Sequence, residues 1–185
     1  IVVSGIGVYL YQLNQKKRKE ETPAKNFLAR IVVTGGSSLI RHPGSDWTKA
    51  EAGSEILPGS EVKTQKDRVV ISINGSIIRL DEDSYIRLAN IGPQEVVIEQ
   101  FLGESYHRVS EAVSSYSVNT EGVEVLTRGT TFLFGVTDGE VATLVLDGSI
   151  DLMTEKEKKG LKDGEKGLVT KVNPLVEVSL IPLEE

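Results

Sequence analysis

The chain contains no cysteine, so disulfide bonds and cysteine-ligated metal centres are excluded. The redox compartment stays open, because a domain of this size folds without a disulfide. Histidine is nearly absent too: His42 and His107 are the only two. A hydrolytic triad needs a base within reach of a nucleophile and an orienting acid. His42 precedes Pro43 in a turn, and His107 lies within a strand pattern between Tyr106 and Arg108. Neither sits in a catalytic motif, and there is no GxSxG, HExxH, phosphate loop or GxGxxG. No catalytic, cofactor-binding or metal-binding residue is therefore assigned, and an enzyme is not expected. Aromatics make up 5% of the chain, with Trp47 the single tryptophan; a lone tryptophan reads as a core anchor or loop plug. No helix-length 3.6-residue pattern is present.

Positive charge is concentrated in one place only. The chain carries a net charge of -6, and Ile1–Glu21 holds four basic and two acidic residues, so the remainder carries -8. A body this acidic repels phosphate backbones, which excludes nucleic acid as a partner. Ile1–Leu13 is an uncharged apolar run that ends in tyrosines and passes into Lys16-Lys17-Arg18-Lys19. Tyrosine at headgroup level followed by a basic cluster is how a span leaves the bilayer. The chain starts at Ile1 rather than at methionine, so residues 1–15 are read as the C-terminal part of a membrane-spanning helix. Residues 16–26 form a basic, polar linker. The basic cluster alone would place the following domain in the cytoplasm, but large domains cross membranes largely regardless of such charges.

Glycine is abundant, at 18 residues, as suits a fold with many turns. From Phe27 the pattern is β. Strand runs are expected at 28–33, 38–41, 68–73, 76–80, 85–88, 95–101, 105–109, 116–119, 123–127, 131–136, 141–146, 149–153 and 168–172. Between them lie Gly35-Gly36, Asn74-Gly75, Asp138-Gly139, Asp147-Gly148 and Asp163-Gly164, dipeptides that signal hairpins. Only Ser110–Ser115 could form a helical turn. The fold class is all-β, a compact sandwich or roll of many short strands over residues 27–172. Residues 173–185, with Pro174 and Pro182, make a C-terminal edge strand or tail. Val70–Leu80 and Thr143–Met153 both read as strand, Asn/Asp-Gly-Ser-Ile turn and return strand, and Ile98–Arg108 is a weaker copy around Gly103.

Three charged features have bland readings. Asp81-Glu82-Asp83 lacks the spacing of a calcium loop and reads as a turn. Lys156–Lys159 with Lys162 reads as a solvated loop. Arg128, in Arg128-Gly129-Thr130-Thr131-Phe132, is expected to pair with Glu121 or Glu124 and pin its turn.

Several of these segments fall in the order of a known family. Gly53, then Leu57-Pro58-Gly59, then Val62-Lys63-Thr64 resemble the opening of the FecR domain. Asn74-Gly75-Ser76 through Leu80 resembles its next motif, and Gly103–Val109 its central strand. Ser117–Thr120 followed by Arg128-Gly129-Thr130-Thr131-Phe132, then Val145–Ile150 around Gly148, resemble the remainder. Ser60 and Asn74 stand where aspartate is usual. The resemblance implies an all-β, bacterial, extracytoplasmic domain behind a single span, with Gly53, Gly59, Thr64, Asn74, Gly75, Ser76, Gly103, Thr120, Arg128, Gly129, Thr130, Phe132 and Gly148 as structural motif residues. It implies sensing or protein interaction in transmembrane signalling, with another envelope protein as partner and no cofactor. The alternative is a structural or glycan-binding cell-surface domain without signalling.

Overall fold

A computed structural model describes residues 29–181; the expected membrane helix (1–15) and the whole of its linker (16–26) lie outside them. Among the described residues every regular element is a strand. They are β1 (Ala29–Thr34), β2 (Leu39–Arg41), β3 (Thr48–Lys49), β4 (Glu55–Ile56), β5 (Ser60–Lys63) and β6 (Val69–Ile73). Next come β7 (Ser76–Leu80), β8 (Tyr85–Ile91), β9 (Glu95–Arg108), β10 (Ser115–Thr120), β11 (Val123–Thr127) and β12 (Thr131–Val136). The last are β13 (Glu140–Asp147), β14 (Ser149–Thr154), β15 (Lys158–Lys162), β16 (Glu165–Thr170) and β17 (Glu177–Leu180). Ser110–Ser114 holds one tight turn, closed by Val113 N donating to the Ser110 carbonyl at 3.1 Å, rather than a helical turn, and Ser115 already belongs to β10.

Alternation drives the architecture. In β6, β7 and β11 every second residue is buried, which lets a strand put one face into a core and the other into water. Pairing arranges the strands in two layers. One runs β4-β1-β6-β7-β9-β12-β13-β16-β17. The other runs β3-β2-β5-β8-β9-β10-β11-β14-β15. All pairs are antiparallel except β9 with β10. The layers face each other: a Cβ added at Gly167 in the first would lie 2.6 Å from Leu152 Cδ2 and 2.7 Å from Leu161 Cδ1 in the second. Ile71, Ile78, Leu88, Ile98, Val118 and Phe134 belong to the shared core. Burying each such side chain contributes about 1.5–3 kcal/mol.

The chain builds outward by alternation of hairpins between layers. The hairpin β10–β11 joins the second layer, β12–β13 the first, β14–β15 the second and β16–β17 the first. This corrects the repeat expected from sequence. Asn74-Gly75 does close a hairpin, β6–β7, and both residues are left-handed, with φ of 48° and 82°, as a tight hairpin turn requires. Asp147-Gly148 instead carries the chain from one layer to the other, since β13 and β14 do not pair. There only Gly148 is left-handed. Asp163-Gly164 and Gly35-Gly36 are also crossovers rather than hairpins.

The third supposed repeat is one continuous strand. β9 pairs with β8 and β10 through its first half and with β7 and β12 from Gly103 onward, so it arches from one layer into the other. Gly103 has φ +85°, and a Cβ there would lie 2.3 Å from Ser84 Oγ and 2.5 Å from Ser84 Cα. Only glycine fits a backbone that close. Thr64 locks the same corner: its Oγ1 donates to the carbonyl of Asp81 at 2.6 Å and accepts from Ser84 N at 2.8 Å.

Most of the Lys-rich segment is strand: Lys156 lies on the hairpin tip, as expected of a loop, but Lys158, Lys159 and Lys162 belong to β15. β15 lies on the rim of its layer with Leu161 as its one buried residue, and Lys158 Nζ sits 2.9 Å from Asp151. Lysines on an edge strand keep other chains from adding to it. The opposite rim, β17, is exposed along its length.

Register also fixes which end is which. Ala29 and Ile181 lie at one end of the sandwich, because Ala29 pairs beside Ile56 and the Ile181 N–H reaches the Gly164 carbonyl. The β9 arch and the β10–β11, β12–β13, β14–β15 and β16–β17 tips lie at the other.

Candidate functional site

The motif residues expected from sequence divide between the two ends, and most are structural contacts near the chain ends. Gly53 N donates to the Ile31 carbonyl and Gly59 N to the Leu88 carbonyl. Beyond the Asn74-Gly75 turn, Ser76 Oγ accepts from Ser110 N at 3.0 Å. Thr130, buried, donates through Oγ1 to the Ser149 carbonyl at 2.8 Å. Gly148 packs against that hydroxyl, 3.1 Å from where its Cβ would be. Arg128 is exposed and makes no ion pair among the described residues, contrary to the pairing expected with Glu121 or Glu124. The cause is position: Arg128 follows the end of β11 whereas Glu121 precedes its start, and Glu124 sits near that start, so a strand's length intervenes. Gly129 has φ +65° and would bring a Cβ to 2.9 Å from Glu111 Cγ. Gly129→Val is expected to destabilise the domain by more than about 1 kcal/mol in a thermal melt, from left-handed strain plus displacement of Glu111.

His107 is not at a surface. It is fully buried, stacked on Phe132 with centroids 4.7 Å apart. Its Nδ1 lies 2.8 Å from Tyr116 Oη, and its Nε2 lies 2.6 Å from Ser105 Oγ. Ser105 donates to Gln100 Oε1 at 2.5 Å, and Gln100 Nε2 donates to the Gly103 carbonyl at 2.8 Å. With the serine proton spent on Gln100, the ring donates from Nε2 and accepts the Tyr116 proton at Nδ1. Burial pushes the imidazole down to about 3 and the Tyr116 phenol well up, so both stay neutral. This chain of polar groups ties β9 to β10 across the layers.

The turn Asp81-Glu82-Asp83 is held by Arg68, whose Nε donates to Asp81 at 2.6 Å. Asp83 takes φ 50°. Among the described residues no group of His, Cys, Asp or Glu side chains could hold a metal ion.

The feature that stands out lies at the arch end. In β9 the register slips between Ile86↔Gln100 and Tyr85↔Leu102, leaving Phe101 as an extra residue. Such a bulge re-aims side chains; here Phe101 and Leu102 are both nearly half exposed, at 45% and 47%. Phe101 packs on Tyr85 with centroids 4.6 Å apart, and Tyr85 stands edge-on to Trp47 at 6.2 Å. Lys63 Nζ lies between those two rings, 4.2 Å from Tyr85 and 4.7 Å from Trp47, and Arg41 covers Trp47 at 4.7 Å. Trp47 is thus part of a half-exposed ridge rather than a core anchor. Beneath it Glu61 accepts from Arg41 and from Tyr85 Oη, each at 2.6 Å. Burial raises the carboxyl pKa, but those two donors outweigh it and the net shift is downward.

Phe101 and Leu102 also form one wall of a cleft of about 1110 Å³. The four C-terminal hairpin tips enclose it, with Thr120 and Glu121 from the β10–β11 tip and Asp138 from the β12–β13 tip. Val123, Val136, Val141 and Val169 line it deeper in. Sequence reading missed this site because its parts come from four turns and a bulge far apart in the chain. The one available signal was the adjacent apolar pair Phe101-Leu102, which breaks the alternation of β9.

Comparison with known proteins settles the family. Residues 60–151 match the family model described as FecR protein. The chain carries a FecR domain. The match takes in Thr64, Asn74-Gly75-Ser76, Gly103 and the Arg128–Phe132 motif, and extends to Gly148; Gly53 and Gly59 fall before it. The FecR domain shares its fold with two crystal structures, at 2.50 and 1.65 Å, of a provisionally assigned anti-sigma factor from Parabacteroides distasonis. The first matches with a TM-score of 0.59 at 17% identity, the second with 0.58 at 16%. Each match covers 65% of this chain and 59% of the solved one, so the chain spans under two thirds of that protein's length. No curated protein matches the chain.

Proposed function

We propose that this FecR domain is a non-enzymatic, membrane-anchored, extracytoplasmic module that senses or binds another envelope protein in transmembrane signalling. The family match and the fold shared with a provisional anti-sigma factor support a regulatory role. The carrying observation is the Phe101 bulge. Two large apolar side chains stand exposed beside an open cleft, at the end of the sandwich away from Ala29. An anchor preceding Ala29 would hold that end outward, where a partner can reach it. A glycan-binding reading is weaker, because Lys63 occupies the space between the Trp47 and Tyr85 rings that a sugar would use.

The test is capture from the source organism's envelope membranes on the immobilised chain. Phe101→Ser combined with Leu102→Ser should reduce recovery of the specific partner by about tenfold or more, as expected for central apolar contacts. Leu133→Ser, 39% exposed on the other layer, should leave recovery unchanged. Absence of any specific partner, or equal recovery by all three proteins, would refute the proposal.

A further inference from the structure

The cleft beside the bulge has a chemical character of its own. Its deeper lining is valine, with Leu102 and Pro174 at the sides. Its rim is acidic on balance: Glu121, Glu140 and Glu155 come from three different hairpins, are exposed, and make no ion pair among the described residues, and they outnumber the one exposed cation there without an ion pair, Lys156. Asp138 is taken by Lys171 at 3.0 Å, and Glu99 by Arg87. On the wall, Asn119 Oδ1 is shielded from solvent and has no donor among the described residues. In register it stands between Glu99 and Glu124, so this unsatisfied acceptor lies between two carboxylate-bearing residues. The volume of about 1110 Å³ exceeds the roughly 300–1,000 Å³ of ordinary small-molecule pockets, and the cleft is open at the sandwich end.

We infer that the cleft receives an extended segment of a partner protein in which Lys or Arg side chains alternate with apolar ones. The apolar residues would lie on the valines and against Phe101 and Leu102, while the cations reach Glu121, Glu140 and Glu155. Anionic ligands are repelled by the same rim, and two copies of this cleft repel each other. The inference rests on the protein-binding reading above and names the chemistry of the partner.

The probe is a fluorescein-labelled octapeptide alternating valine and arginine, titrated into the whole chain and followed by anisotropy. Binding is expected, weakening as salt is raised because the rim charges are exposed. Peptides alternating valine with glutamate, or serine with arginine, should bind far less. The triple variant Glu121→Lys, Glu140→Lys, Glu155→Lys should weaken the valine–arginine peptide by roughly tenfold or more. A second triple variant, Glu51→Lys, Glu55→Lys, Glu111→Lys, makes the same change in net charge away from the cleft and should not weaken it comparably.

Equal loss in the two triple variants reduces the effect to net charge and overturns the inference. So does equal binding of the serine–arginine peptide. Tighter binding after replacing Lys16, Lys17, Arg18 and Lys19 by serine would identify the chain's own basic segment as occupant, which also overturns it. Envelope capture separates the two levels. A partner lost with the Phe101 and Leu102 substitutions but kept by the cleft charge reversal sinks the cleft inference alone. Specific peptide binding with no partner captured upholds the cleft and sinks the functional reading.

Discussion

Gly103→Ala is expected to lower unfolding stability by about 3 kcal/mol or more, read as a shift of the urea midpoint at constant slope. Two costs combine. The residue holds φ +85°, and the added Cβ would sit 2.5 Å from the Ser84 Cα. A backbone atom cannot swing aside as a side-chain end can, so either the β9 arch or the β7–β8 corner must move. That corner is already pinned: Ser84 Oγ and the Glu104 backbone N–H are 3.1 Å apart, and Thr64 holds the other side. Gly122→Ala supplies the comparison. Gly122 has φ +73° but nothing within 4 Å of its would-be Cβ, so only the left-handed strain of about 1 kcal/mol remains. Equal losses at the two positions would show that the close approach at the arch carries no weight.

Acidification should destabilise the domain well before its carboxylates titrate. His107 has a folded-state pKa pushed by burial from 6.5 to about 3. In the unfolded chain the ring takes up a proton near 6.5, while the folded ring refuses it. Stability from the neutral ring is thus complete above that pH and falls as pH drops through 6.5 toward 3. Linkage for one proton gives a loss of about 2 kcal/mol between pH 7 and 5. Asp67, lowered to about 2 from 3.8, contributes stability that is lost only as pH falls below about 4, so it adds nothing to the slope between pH 7 and 5. Unfolding free energies at pH 7, 6 and 5 test this. The expected slope disappears in His107→Gln, whose absolute stability is lower because Tyr116 and Ser105 lose their partner. A flat profile in the unaltered protein would refute the buried neutral imidazole.

Local patterning carried much of the fold. Ser76–Leu80, Val123–Thr127 and Thr131–Val136 alternate cleanly, and their strands match the expected bounds. What alternation does not encode is which layer a strand joins. Asn74-Gly75 and Asp147-Gly148 look alike in sequence, yet one returns the chain in its own layer and the other throws it across. The difference lies in Asn74, whose left-handed φ completes a tight turn, and in the layer that has an open edge when the next strand arrives. β15 was hidden because an edge strand with a single buried residue, Leu161, has almost no apolar signal. The join at Gly103 was hidden because a glycine between two strand runs reads as a break, whereas here it lets one strand serve both layers. The cleft was illegible for a related reason: no segment contains it, and only the layer alternation collects its hairpin tips at one end.

The placement of the chain ends has a mechanical consequence. A load between the cleft end and a tether preceding Ala29 runs along β1. That strand is bonded to β6 on one side and β4 on the other, through hydrogen bonds perpendicular to the pull, so they resist together, in shear. β17 is bonded on one side only, to β16, and tension drawing it sideways at Ile181 would open its bonds one at a time, as a zipper does. The same sandwich is therefore stiff when hauled from its N-terminal side and compliant when peeled from its C-terminal side.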